Sequence, residues 1–155
     1  MLNYNSVIKN EMKQESISVK EISPVIKINL RGKKREFLTN VGKNLNIILP
    51  TEANTSTTSD KLTAIWLSPD EWMIISNELA SKDTNKSDLY EMLFNSISKT
   101  NLGAVIDVTD QFVQLELKGE NVYEIFSAGS PFNFNEFKEK KGSTTQTVLN
   151  HVDVI

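Results

Sequence analysis

The side chains that could do chemistry in this 155-residue chain are carboxylates, because the alternatives are nearly absent. There is no cysteine, which removes disulfides, thiolate metal ligands and thiol nucleophiles together. His151 is the sole histidine, so a multi-histidine metal site is excluded and a metal would need oxygen ligands. It falls mid-strand in the last segment and reads as a surface or subunit-contact residue rather than a base. The glycines stand singly at 32, 42, 103, 119, 129 and 142, which builds neither a phosphate loop nor a dinucleotide fingerprint. Two groups of acids remain, Asp70 with Glu71 and Asp107 with Asp110. Acid–base work by either pair requires desolvation or a partner charge that moves a pKa, and the surrounding sequence supplies neither. Consecutive acids in a turn ordinarily cap backbone donors and stay solvated. The residues therefore assign no catalytic, cofactor-binding or metal-binding position.

The acids Asp70 and Glu71 sit in the turn of the element that organises the chain. Leu62 to Ser76 holds both tryptophans, Trp66 and Trp72, on either side of Ser68-Pro69-Asp70-Glu71. The first arm alternates, with Leu62, Ala64 and Trp66 on one side and Thr63, Ile65 and Leu67 on the other. The second arm, Trp72 to Ile75, is continuously apolar, as for a strand covered on both faces. Pro69 suits a β-turn, so the stretch reads as a central hairpin. Its two indoles would each contribute roughly 2–3 kcal/mol by burial.

Around this hairpin the chain reads in order as follows. Residues 1–23 form an arm or extended lead-in, with a short edge strand over Ile17–Ile22. Residues 24–155 form one α+β domain. Pro24 opens a strand with Ile26, Ile28 and Leu30 on one face, and Arg31-Gly32 ends it. Phe37, Val41 and Leu45 mark a helix from Glu36 to Leu45. Thr51 to Lys61 has no apolar period and reads as loop, as does 77–86. Ser87 or a neighbour caps a helix with Leu89, Leu93 and Ile97 on its stripe. Ala104–Val108 and Phe112–Lys118 read as a second hairpin around Thr109-Asp110, with Val113, Leu115 and Leu117 inward. A third helix follows Gly119, with Val122, Ile125 and Phe126 buried and Gly129 as its left-handed stop. Lys138–Lys141 is a solvated charge run. Thr144–Ile155 reads as one strand with Val148, Val152 and Val154 inward. The order implies an antiparallel or mixed sheet with helices packed on one side.

A net charge of −3 argues against nucleic-acid or anionic-membrane partners. No stretch approaches the ~18 apolar residues of a membrane span, and the N-terminus has no signal-peptide core. The absence of cysteine suits a reducing cytoplasm.

Several segments together resemble the gamma subunit of heterotetrameric sarcosine oxidase. They are Ile17–Ile22 with Pro24–Gly32, Ala64–Ile74, Ala104–Asp110 leading into Gln114–Gly119, Gly129–Phe134 and Thr145–Leu149, all in the family's order. The resemblance implies a reduced version of the folate-binding aminomethyltransferase fold. It implies a complex that oxidises sarcosine to glycine with oxygen, giving hydrogen peroxide and, with tetrahydrofolate, methylenetetrahydrofolate. It places NAD and the folate site on an alpha subunit, FAD and the sarcosine site on a beta subunit, and FMN between them. The gamma chain then packs on the alpha, beta and delta subunits and supplies no catalytic group. Two departures stand out. Ala128 and Ser130 replace the family's basic residue and cysteine around Gly129. The family also continues past the strand ending at Ile155, so either the chain is incomplete or this member is shortened.

The competing reading is a free-standing folate-binding aminomethyltransferase-like protein, with Asp107 or Asp110 holding the pterin in a pocket. A third is an interaction module of other ancestry. For the subunit reading, partner contact is assigned to Ser68, Pro69, Asp70 and Glu71, to Gly129, Ser130, Pro131, Phe132 and Phe134, and to the N-terminal arm. Turns and arms are exposed, and these phenylalanines have no helical stripe to join. Core filling by Phe132 and Phe134 is the equally open alternative.

Overall fold

A computed structural model of the chain describes residues 5–22, 24–79 and 87–155. Its centre is the expected indole hairpin. Strand β5 (Leu62–Ser68) turns through Pro69-Asp70 into β6 (Glu71–Leu79), and Trp66 pairs directly with Trp72. Around it lie β3 (Val25–Arg31), β4 (Ser56–Thr58) and β7 (Ala104–Asp107), in the order β4-β5-β6-β3-β7, every pair antiparallel. The order follows from face chemistry: Ile28 and Leu30, Ala64, Trp72 and Ile74, and Val105 all fall on one side and are buried there.

That side is closed by helix α1 (Arg35–Leu45), through Phe37, Val41 and Leu45, and by α2 (Ser87–Leu93) with the π-helical turn that continues it over Phe94–Ser98, through Leu93 and Ile97. The spacing expected for both stripes holds, and Asn101 at φ 57 ends the second helix. The loop expected over 77–86 starts later, because 77–79 continue β6 beside β3; residues 80–86 and the capping expected of the Ser87 side chain lie outside the described residues. Trp72 fastens the layers together. Its indole N–H donates to the Pro50 carbonyl at 2.7 Å, and its ring lies 5.8 Å from that of Phe37. Gly32 and Gly103 flank the Phe37 ring. A Cβ at Gly103 would collide with the Arg31 carbonyl oxygen as well as that ring.

Several expectations are corrected. Part of the Thr51–Lys61 segment is strand β4, because an edge strand at the rim of a sheet needs no apolar face and threonine suits the pleat. The expected hairpin over residues 104–118 does not form. Strand β7 pairs with β3, while β8 (Leu115–Lys118) leaves for another sheet, its partner being β2 (Ile17–Glu21). The lead-in is accordingly more ordered than an arm. β1 (Met12–Gln14) and β2 form a hairpin, and β2 is the middle strand of β1-β2-β8 rather than an edge. Helix α3 (Val122–Gly129) buries none of its residues fully, and Ile125 is 44% exposed. Gly129 is not in the left-handed region. It is small because a Cβ there would meet Leu149 and Asn150, whose backbone N–H donates to the Gly129 carbonyl at 2.8 Å. The last segment is another tight hairpin, β9 (Thr147–Leu149) and β10 (Val152–Val154), turned by Asn150 and His151 at φ 47 and 70. Val148 and Val152 are exposed rather than inward.

Among the described residues, the buried apolar side chains run from Val25 to Val108, with Phe134 the sole one after that. The fold is thus an α+β sandwich of one antiparallel sheet and two helices, to which a thinly packed C-terminal region is attached.

Candidate functional site

The acids singled out in the sequence hold the structure together. Asp70 Oδ1 accepts from the Ser68 hydroxyl at 3.0 Å, and Oδ2 lies 3.4 Å from the Lys33 ammonium. These contacts, the Ser68 hydroxyl foremost, hold the Asp70 carboxyl below its ordinary range. Glu71 takes 2.7 Å and 3.5 Å contacts from the Asn29 amide and the Arg31 guanidinium. The turn is thereby tied to the end of β3, two strands' pairing being reinforced by charge. A general acid at neutral pH needs the opposite perturbation, a carboxyl held up. Asp107 Oδ1 accepts from the Thr109 backbone N–H at 2.9 Å and so caps the turn after β7. Asp110 is exposed, and its charge acts on Lys27. His151 stands at the exposed tip of the last turn, not mid-strand. Among the described residues no three His, Cys, Asp or Glu side chains come together as metal ligands.

The positions assigned to partner contact are not alike. Pro69 and Pro131 are exposed; Ser68, Asp70, Glu71, Gly129 and Ser130 are half-buried. Ser130 Oγ sits 3.1 Å from Thr147 Oγ1 and accepts from the Phe132 N–H. Phe132 and Phe134 belong to a satellite aromatic cluster with Phe126 and Phe137, ring centroids 4.9 to 5.9 Å apart, in which Phe134 is 6% exposed. Core filling is therefore the reading the geometry favours for Phe134.

The exposed apolar side chains fall elsewhere in the chain. Eight of the twelve large hydrophobics exposed among the described residues come after Val105: Ile106, Phe112, Val113, Leu115, Ile125, Val148, Val152 and Ile155. Val113 and Leu115 alternate as core residues do, which is why the sequence placed them inward. In the structure both are exposed, Val113 just before β8 and Leu115 at its first position, in an edge strand whose one strand partner is β2. The eight exposed residues lie on β7, β8, helix α3 and the β9–β10 hairpin or beside them, after the stretch of chain that supplies most of the buried core.

Two further features were not legible in the sequence. Lys27 is 4% exposed in mid-sheet, with its ammonium donating to the Val25 carbonyl at a long 3.4 Å. Burial pushes its pKa down, against the opposing pull of Asp110. On the same helix-free face lies a cavity of about 450 Å3 lined by Ile22, Val25, Ser56, Thr63, Ile65, Ile75, Ser76, Gln114 and Thr144. Neither Asp107 nor Asp110 lines it, and among the described residues its walls carry no carboxylate. No described helix is long and apolar enough to cross a membrane.

The fold is similar to that of a chain in heterotetrameric sarcosine oxidase from Corynebacterium sp. U-96, solved in complex with pyrrole 2-carboxylate. The TM-score is 0.77 at 17% sequence identity, covering 93% of this chain and 71% of that one. No family model and no curated protein sequence matches the chain.

Proposed function

We propose that the chain is a non-catalytic structural subunit, of the gamma type, in a heterotetrameric sarcosine oxidase. The observation that carries this reading is the run of exposed apolar side chains after Val105, on a chain folded like one found in a four-subunit enzyme of that kind. The motif segments quoted above support the same assignment. The acids also fit it: Asp70, Glu71 and Asp107 are engaged in holding turns, where chemistry would need them poised. The partners are the alpha, beta and delta subunits, in the cytoplasm. The complex oxidises sarcosine to glycine with oxygen, giving hydrogen peroxide and, with tetrahydrofolate, methylenetetrahydrofolate. FAD, FMN, NAD and tetrahydrofolate belong to the partner subunits. This chain builds no glycine-rich phosphate loop, and the cavity on its sheet has no carboxylate among the described residues for a pterin.

The test is co-expression with the alpha, beta and delta subunits encoded in the same genome, with the affinity tag on alpha. The chain is expected to elute with them in equal amount, and the purified assembly to release hydrogen peroxide from sarcosine. Asp70→Asn, Glu71→Gln and Asp107→Asn should leave turnover per assembled complex unchanged. A chain that stays monomeric in the presence of all three subunits would overturn the proposal. Saturable folate binding by the chain alone, lost in Asp107→Asn or Asp110→Asn, would favour the free-standing folate protein instead.

A further inference from the structure

Strand β8 has one strand partner and one free side. It pairs antiparallel with β2, and no strand lies along its other edge among the described residues. The Ile22 N–H donates to the Gln114 carbonyl at 2.9 Å, so 22 and 114 face each other as a hydrogen-bonded pair of that ladder. An antiparallel ladder alternates such pairs. The backbone groups of Gln114, Glu116 and Lys118 therefore turn toward β2, and those of Leu115 and Leu117 turn to the free side. Side chains alternate too. Leu117 stands in one cross-strand row with Val19 and Met12, and Leu115 follows on the same face. Glu116 and Lys118 occupy the other face, where the Glu116 carboxylate lies 2.9 Å from the Lys20 ammonium and 3.1 Å from that of Lys118.

A free edge accepts another strand when the groups opposite it match. The strand β8 matches itself. Laid antiparallel on a second copy about Leu117, it sets Leu117 against Leu117, both with backbone groups pointing at the partner, and each Glu116 against Lys118 of the other copy. Those charged positions are the non-hydrogen-bonded pairs, whose side chains approach most closely. Lys118, with 67% of its side chain exposed, has room to turn from the Glu116 of its own chain to that of the other. Centring the pair on Glu116 or on Lys118 instead opposes like charges. A shift by one residue opposes outward backbone groups with inward ones.

We propose that the free chain forms a two-fold dimer in which β8 pairs antiparallel with β8 of a second copy about Leu117. The two three-stranded sheets become one. The apolar row of Met12, Val19 and Leu117 runs on into its symmetry mate, and each Glu116 sits between Lys20 of its own chain and Lys118 of the other. The same patch is used on both copies, so the assembly closes at two. The inference concerns the chain on its own and does not rest on the subunit reading; its failure would leave that reading untouched.

Sedimentation velocity on the full chain, in a concentration series up to about 1 mM to capture a small interface, should show a monomer–dimer equilibrium. Lys118→Glu and Glu116→Lys should each weaken dimerisation about tenfold or more, since two opposed pairs become two like-charged ones. An equimolar mixture of the two variants should dimerise at least as tightly as the unmodified chain, because one then offers two ammonium groups where the other offers two carboxylates. Restoration in the mixture also shows that both variants are folded. The chain has no cysteine, so Leu117→Cys oxidised with diamide reads the register. The Cα atoms of a hydrogen-bonded antiparallel pair lie about 5.5 Å apart, within disulfide reach. Val19→Cys, one strand further in on each copy, holds the two thiols roughly 14 Å apart and should not cross-link. A chain that stays monomeric throughout the series would overturn the proposal. So would a dimer indifferent to both charge reversals, a mixture no tighter than either variant alone, or cross-linking through Val19→Cys as fast as through Leu117→Cys.

Discussion

Replacing each tryptophan in turn by phenylalanine separates the two roles of the indole hairpin. Trp72 is 3% exposed and its N–H donates to the Pro50 carbonyl at 2.7 Å, a residue itself buried. Trp72→Phe deletes about 40 Å2 of buried ring, worth about 1 kcal/mol at 25 cal/mol per Å2. It also orphans the Pro50 oxygen, at a cost of about 1–3 kcal/mol. The expected loss is therefore about 2–4 kcal/mol, which for a chain of this size lowers Tm by about 4–16 °C. Trp66, its cross-strand partner, is only half-buried and packs against the edge of the core. Trp66→Phe should cost about 0.5–1 kcal/mol, since little more than exposed ring area changes. Urea unfolding followed by the fluorescence of the remaining tryptophan and by far-ultraviolet circular dichroism measures both. Equal losses in the two variants, or a larger one for Trp66→Phe, would refute the claim that the Trp72 N–H pins residues 46–50 to the sheet.

Three further outcomes are expected. Leu115→Lys, on the open edge of the small sheet, should change unfolding free energy by less than about 0.5 kcal/mol yet cut co-purification with partner subunits at least tenfold; pull-down yield against the urea midpoint decides it. Gly103→Ala should destabilise the chain by about 1–3 kcal/mol in thermal unfolding, because its methyl would run into the Arg31 carbonyl oxygen and the Phe37 ring together. Lys27→Met should raise stability, and the gain should depend on pH. Burial holds the folded-state pKa of Lys27 below 10.5, so the unfolded chain keeps its proton where the folded chain has lost it, and stability of the unmodified protein rises with pH across that interval. The advantage of Lys27→Met should accordingly be full below the folded-state pKa and disappear as pH rises past 10.5. A gain that is constant with pH would show that shape, not charge, is responsible.

The sites illustrate how far residue types lead. Asp70 and Glu71 stood out because acids in a turn are visible in a sequence, and the expectation that they cap and brace the turn came from the absence of any neighbour that would raise a carboxyl pKa. Their charged partners, Arg31 at the end of β3 and Lys33 just beyond it, are distant in sequence and needed the fold. The cavity left no trace in the sequence, since its walls are ordinary isoleucines, threonines and serines from distant segments.

Local pattern by itself determined the elements whose burial is decided within a few residues. The period of Phe37, Val41 and Leu45 specified α1, that of Leu93 and Ile97 specified the second helix with its π-helical turn, and the alternation through Trp66 and Trp72 specified the hairpin, because each has one face that must leave water. Only the tertiary structure decided where β8 would pair, that β2 would be a central strand, that Val113 and Leu115 would face outward, and that Asn150-His151 would break the last strand into a hairpin. Alternation states that a strand has two faces but not which of them will be covered. That depends on which distant segment supplies the hydrogen-bond partner, and on whether any layer of this chain remains to lie across the other side.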